Sequence, residues 1–413
     1  MSRRLQNRTD ESTATNLSIT ESLKDLVLPS WDPAGMYYFG DEEMRAAGPE
    51  VILRCMLSTK AAISTKSSLA EANQRAIENA STKHFSLIGK GQCGTIYGLK
   101  GTTMVMKLPN AYNKIDELFQ DCQMHKLIYH IFSQVYSTPR SNLNVPKHEM
   151  WVSPDSKHFW KANGPLFGEN VKVPNHGLVS ERIFPLPQPV REAIVDALCP
   201  KEIVAIRDEF LNQAENKDCL VRLYLGRRHD NRTSKPQNIK MRNFPLHVNE
   251  MERIGLETKN FALVMAKALA ILHWKAGVDA NDVEFVLGGS PVISGNPTLQ
   301  ELLASDSEAA GKLYFSDFDH RTLSVWLLDF NECRQFKQDE SGLAQLIKAF
   351  WFNDPYYPRP MATNARDKEL WNAFSSHYLE VSAGLVGNHS GPKSFIDGIE
   401  EEDKKRSGNS LFG

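Results

Sequence analysis

The sequence predicts an α+β fold: a smaller, β-rich part over 85–187 and a larger, mostly helical part over 188–390. Three observations predict it. Around the glycines of HFSLIGKGQCGTIYGLKGTTMVMKLPN (84–110) apolar and polar residues alternate, as in half-buried strands. Beyond this stretch, apolar residues recur mainly at three- and four-residue spacing, the mark of helices with one buried face. A chain of 413 residues with 41% hydrophobic side chains is also long enough to bury a large core.

The elements follow in order. Residues 1–20 are polar and Ser/Thr/Asn-rich and are expected to be disordered. Residues 21–84 carry short apolar runs, LKDLVLP and PEVILRCML, and a weakly amphipathic helical stretch at 65–82. They are expected to pack on the main body or link to it. Two β-like runs flank the glycine cluster, with alternation in TTMVMKL. The stretch 113–136 places Ile115, Leu118, Phe119, Cys122, Leu127, Ile128 and Ile131 near helical spacing, giving a helix of about five turns. Residues 146–170 read as irregular, and 176–187 as a strand entering a Pro-rich connector. Helices are expected at 189–198 and 202–216, and a strand at 219–226. The basic, turn-rich segment 226–243 reads as a solvated loop. The helix 256–277 closes on Gly277 in the C-cap position. A loop and strand follow in VDANDVEFVLGG, then a Gly/Ser/Pro/Asp-rich insertion at 288–320 and the strand LSVWLLDFNECR. Helices at 342–352 and 366–385 precede a tail, 391–413, expected to be flexible.

Composition excludes several classes of function. Lys+Arg total 48 and Asp+Glu 50, a net charge of -2, which argues against a surface built for nucleic acid. The longest apolar stretch, Phe261–Trp274, is broken by Lys267 and falls short of a membrane span. The N-terminus has two arginines but no apolar segment after them, so no export signal is expected, and the cytoplasm or nucleus is. Six cysteines at 55, 93, 122, 199, 219 and 333 lack the paired spacing of zinc ligands. No zinc is expected, and the thiols read as free and mostly buried. Cys93, inside the glycine cluster, is the one expected to be exposed and oxidisable.

Four motifs can carry chemistry. Gly89, Gly91 and Gly94 form G-x-G-x-x-G, followed by β-like residues where a dinucleotide fold would need a helix. A glycine hairpin lets the backbone approach phosphate oxygens, and Ile96 stands where an apolar side chain would cover a base. Lys107 closes the next strand, where its ammonium would meet phosphates. Glu117 and Asp121, four apart on the following helix, are rival partners for Lys107, and His125 on the same face reads as a core histidine. In LHWKAGVDANDVEFVL, Asp279 is the candidate base and Glu284, five later, a candidate magnesium ligand; Asp282 is a rival base. Asp329, in the strand-ending Asp329-Phe330-Asn331, is a second candidate ligand. Asn331 there takes a position usually held by Gly, and Asn tolerates the left-handed backbone such a turn needs.

In this order the motifs resemble those of protein-kinase-like phosphotransferases in a divergent form. The stretches HWKAGVDANDVEFVLG, VWLLDFNECR and FNDPYYPRP resemble, more narrowly, a fungal family of uncharacterised function filed under a zinc-finger label. The resemblance implies a two-lobed kinase-like fold binding ATP and Mg2+ between the lobes. It implies an active phosphotransferase of unknown substrate, or a pseudokinase that binds or scaffolds without catalysis. The missing His-Arg before Asp279, the Asn331 substitution and the insertion favour the second. A nuclear, transcription-associated role is the third reading, supported only by the basic segment 226–243.

Overall fold

The computed structural model describes residues 46–58, 79–135, 143–229, 236–293 and 316–409, with short pieces at 37–39, 61–64, 73, 75–76, 303–304 and 306–307. The expectations for 1–20, for most of 65–78, for 230–235 and for the middle of the 288–320 insertion lie outside the described residues. The fold is mixed α+β, with one seven-stranded and one five-stranded sheet. Among the described residues no helix is long and apolar enough to cross a membrane.

The N-terminal part gives β1 (Tyr37–Phe39), α1 (Pro49–Met56) and β2 (Ala61–Ser64). Next come β3 (Phe85–Lys90), β4 (Gly94–Leu99), β5 (Met104–Pro109) and α2 (Ile115–Val135). They are followed by β6 (Leu143–Asn144), β7 (His148–Val152), α3 (Lys157–Asn163) and β8 (Gly177–Glu181). The five-stranded sheet is antiparallel throughout, in the order β3-β4-β5-β8-β7. Period-two alternation divides β5 between two environments. Met106 and Leu108 enter a core with Phe85, Leu99, Trp160 and Phe167, while Val105 and Lys107 face the other way. The region 146–170, expected to be irregular, thus carries a strand and a short helix. β7 is defined by pairing with β8, and Trp160 and Phe167 anchor the rest in this core, contacts that no local pattern announces.

The helical part begins with α4 (Gln188–Leu198), α5 (Lys201–Val204) and α6 (Arg207–Asn212). The single helix expected at 202–216 is therefore broken, at Ala205 and Ile206. Then come β9 (Val221–Tyr224), β10 (Phe244–His247), α7 (Val248–Arg253) and α8 (Thr258–Ile271). A π-helical turn, Leu272–Ala276, ends α8 at Gly277, whose φ of 70° is the left-handed cap the sequence calls for. β11 (Glu284–Ile293) and β12 (Ser316–Leu328) form a long antiparallel hairpin. The ends of the 288–320 insertion are strands of that hairpin, not loop. The chain continues as α9 (Glu340–Phe352), α10 (Ala365–Val386) and α11 (Gly391–Asn409).

The seven-stranded sheet runs β1-β2-β12-β11-β9-β10, with β6 also paired to β12. The N-terminal strands thus extend this sheet, and α1 buries Ile52, Leu53, Cys55 and Met56 in the large core. The segment 391–413, expected as a flexible tail, instead forms α11 over most of its length. Phe395, Ile396 and Ile399 make a buried stripe at helical spacing, and the charged residues between them hide it in the sequence.

Candidate functional site

A cleft of about 280 Å³ opens under the β3–β4 hairpin. Ile88, Gly89, Gly91 and Ile96 roof it, Lys107, Asp121 and His125 line its back, and Glu284 and Asp329 stand opposite. The register explains the meeting. Ile96 lies directly across from Lys107 in the β4–β5 ladder, so both emerge on the cleft face. Glu284 pairs with Leu328 at the open end of the β11–β12 hairpin, one residue before Asp329.

The hairpin turn is pinned by one side chain. Asn110 Nδ2 donates to the carbonyls of Gly91 (2.9 Å) and Gln92 (3.0 Å), and its Oδ1 accepts from Thr95 (2.7 Å). Gly94 is sterically required: a Cβ there would stand 2.8 Å from Leu108 O and from Lys107 Cγ. Gly89 and Gly91 have ordinary room, 3.5 and 3.6 Å to the nearest atoms. Cys93 is not the exposed thiol expected. It is buried against Leu118, Cys122 and Leu178, and burial raises its pKa despite nearby Lys107.

Helix α2 settles which carboxylate meets Lys107. Its buried face carries Leu118, Asp121, Cys122 and His125, so Asp121 points inward. Lys107 Nζ donates to Asp121 Oδ2 at 2.8 Å and lies 3.6 Å from Asp329 Oδ1. Glu117, one of the two expected partners, lies toward solvent and binds Lys114 at 2.7 Å. Burial alone would lower the pKa of Lys107, but Asp121 and Asp329 outweigh it and hold the ammonium charged. Asp121 Oδ1 also accepts from the Phe330 amide (3.3 Å), tying α2 to the Asp329 turn. His125 supports that turn: its Nε2 bonds Pro146 O at 2.6 Å and its ring packs 5.4 Å from Phe330.

The left-handed residue of this turn is Asp329 itself, with φ 66°, and not Asn331. A non-glycine residue held there costs conformational energy, a feature that clusters at functional sites. Burial raises the Asp329 pKa, Lys107 opposing it. Its Oδ1 is buried and has no hydrogen-bond partner among the described residues. Beside it stands Glu284, whose pKa burial lifts to about 7 against the pull of Arg222, with which it forms an ion pair.

Asp279 does not reach the cleft. Its Oδ1 accepts from the amides of Arg334 (2.9 Å) and Asn281 (3.1 Å), and its Oδ2 from Gln345 Nε2 (2.7 Å). It is a buried latch that joins the 277–283 loop to the chain after Asp329. Its rival Asp282 is half-buried, in a left-handed conformation (φ 61°) that the Asn353 side chain supports by accepting from its amide. Burial and then the charges of Asp329 and Glu332 raise its pKa to about 6.

Three arginines were missed by the sequence reading. Arg182, Arg222 and Arg242 line the cleft, and the Nε of each is buried without a hydrogen-bond partner among the described residues. Arg182 is paired with Asp218 at 3.0 Å. The only local sign was an arginine inside an otherwise apolar strand, as in CLVRLYL.

The donors fit magnesium. Glu284 and Asp329 offer hard carboxylate oxygens, one of them Asp329 Oδ1, which is ion-paired with Lys107 but has no hydrogen bond among the described residues. Together, fold and site define a mixed α+β protein whose cleft sets one charged lysine among carboxylates beneath a glycine hairpin. Compared with known proteins, residues 325–390 match the DUF3669 family, described as Zinc finger protein. No curated protein matches the chain. The family finding overturns the expected membership in a kinase-like family: its description is of a zinc finger, and nothing in it is kinase-like. Among the described residues, no group of three or more metal-capable side chains falls within the matched stretch. Cys333 is buried against Asn281 O and its pKa is pushed well up, while His377 on α10 bonds Glu380.

Proposed function

We propose that the cleft binds a nucleoside triphosphate with magnesium and transfers its terminal phosphoryl group. The observation that carries this reading is Lys107, fixed by Asp121 at 2.8 Å and 3.6 Å from Asp329 beneath the glycine hairpin. Lys107 would hold phosphate oxygens, and the apolar roof at Ile88 and Ile96 would cover the base. Glu284 and Asp329 would hold the metal, which when bound neutralises developing charge on the phosphates. On this reading the five-stranded sheet with α2 acts as one lobe and the helical part as the other. The base is Asp282, not Asp279: its pKa of about 6 suits proton transfer near neutrality, whereas the Asp279 oxygens are all engaged. A second reading, nucleotide binding without catalysis, is favoured by the Arg222–Glu284 ion pair, which competes with the metal for one carboxylate.

MgATP is expected to raise the melting temperature by several degrees, and Lys107→Ala and Asp329→Ala to abolish the shift. Absence of a shift at millimolar MgATP overturns both readings. A shift without phosphate release to any acceptor or to water selects the second.

A further inference from the structure

Away from the cleft, another set of donors converges where β10 meets α7. Glu250, in the first turn of α7, reaches back to His247: its Oε2 accepts from the His247 amide at 2.9 Å and lies 3.1 Å from His247 Nδ1. Its Oε1 lies 3.2 Å from His229 Nδ1. His229 is held in place through its backbone, its amide donating to Asn249 Oδ1 (2.8 Å) and its carbonyl accepting from Asn249 Nδ2 (3.0 Å). The two imidazoles stack with centroids 4.8 Å apart. Glu250 and His247 are buried, and only His229 keeps an edge toward solvent.

We propose that His229, His247 and Glu250 bind a zinc ion. The three donor atoms lie within 4.8 Å of one another. Each imidazole nitrogen lies against a different oxygen of Glu250, His229 Nδ1 at 3.2 Å from Oε1 and His247 Nδ1 at 3.1 Å from Oε2, so the carboxylate stands between the two rings. Two imidazole nitrogens with one carboxylate suit zinc, whereas magnesium and calcium take sets of oxygens. Three protein ligands leave a fourth coordination position for a further donor. The Asn249 contacts hold the backbone of one ligand in place, as outer partners do in metal sites. The ion would tie His229, near the start of the excursion after β9, to the C-terminal end of β10 and the first turn of α7, fixing the intervening chain at one point. The site lies outside residues 325–390 and rests on its donors alone.

The test uses the full chain, stripped with chelator, reloaded with zinc and dialysed against metal-free buffer. One zinc per chain is expected by elemental analysis, as are the visible absorption of tetrahedral cobalt(II) after substitution and a higher melting temperature with zinc. Glu250 also caps α7, so Glu250→Gln can lose zinc by loosening the helix. The decisive variant is His229→Ala, checked for folding by circular dichroism, which should weaken zinc binding at least tenfold. His377→Ala, at a half-buried position on α10, should not. A wild-type chain that dialyses free of zinc overturns the proposal, as does zinc retained equally by His229→Ala and His247→Ala.

Discussion

Asp279 and Asp282 stand three residues apart in one loop, yet their surroundings give them opposite duties. Asp279, itself buried, satisfies two backbone amides and a glutamine through part-buried hydrogen bonds. Removing it takes away the acceptor of all three, at about 1 kcal/mol each. Asp279→Ala is therefore expected to lower stability by at least about 2 kcal/mol in urea unfolding, whatever it does to activity. Asp282 has the reverse profile. Its raised pKa means that the fold carries its charge at a cost, so Asp282→Asn should leave stability unchanged or slightly higher. Asn also tolerates the left-handed backbone at 282. The same variant should keep the MgATP shift and lose phosphoryl transfer; full turnover in it would remove Asp282 from the mechanism. Spacing in the sequence left both residues open, because a carboxylate is committed by its partners, and here those lie as far along the chain as 334, 345 and 353.

Among the elements, the glycine hairpin and α2 carry the site by different means. The hairpin was legible: glycine spacing with β alternation predicts two short β-like runs within 84–110, and strands stand there at 85–90 and 94–99. Which glycine matters was not legible, because the obstacle is the neighbouring strand. Gly94→Ala would push a Cβ against Leu108 O and the stem of Lys107, a clash of the kind that costs about 1–3 kcal/mol. Gly89→Ala meets Ile96 at an ordinary 3.5 Å and should be tolerated. Melting temperatures of the two variants should separate accordingly, and equal values would contradict the packing described. For α2, helical spacing placed Glu117 and Asp121 on one face, but a four-residue step turns about 40° past a full turn. That rotation leaves Glu117 at the rim with Lys114 and Asp121 beneath the sheet with Lys107.

Across the whole molecule, the large core draws on segments from both ends of the chain, α1 near the start and α11 near the finish. Phe395 is fully buried against His273, Phe350 and Tyr378. Phe395→Ala is expected to cost about 3–5 kcal/mol, whereas Phe352→Ala, at an exposed position, should change stability by less than about 0.5 kcal/mol. Unfolding midpoints test this, and a neutral Phe395→Ala would mean that α11 does not pack as described. By itself the sequence determined what local chemistry can state: the mixed α+β class, most strands and helices, the left-handed cap at Gly277, Asp329 just past a strand end, and Lys107 on a strand, though two residues short of the end it was expected to close. Those follow from periodicity and glycine conformation, which act within a few residues. Tertiary structure alone decided that Asp121 and not Glu117 meets Lys107, that Asp279 is a latch, that Arg222 faces Glu284, and that His229 and His247 share Glu250. Each of these depends on the register between strands or on the angle at which a helix docks. Such quantities are set by the burial of distant apolar faces against one another, so no window of sequence around the residue itself contains them.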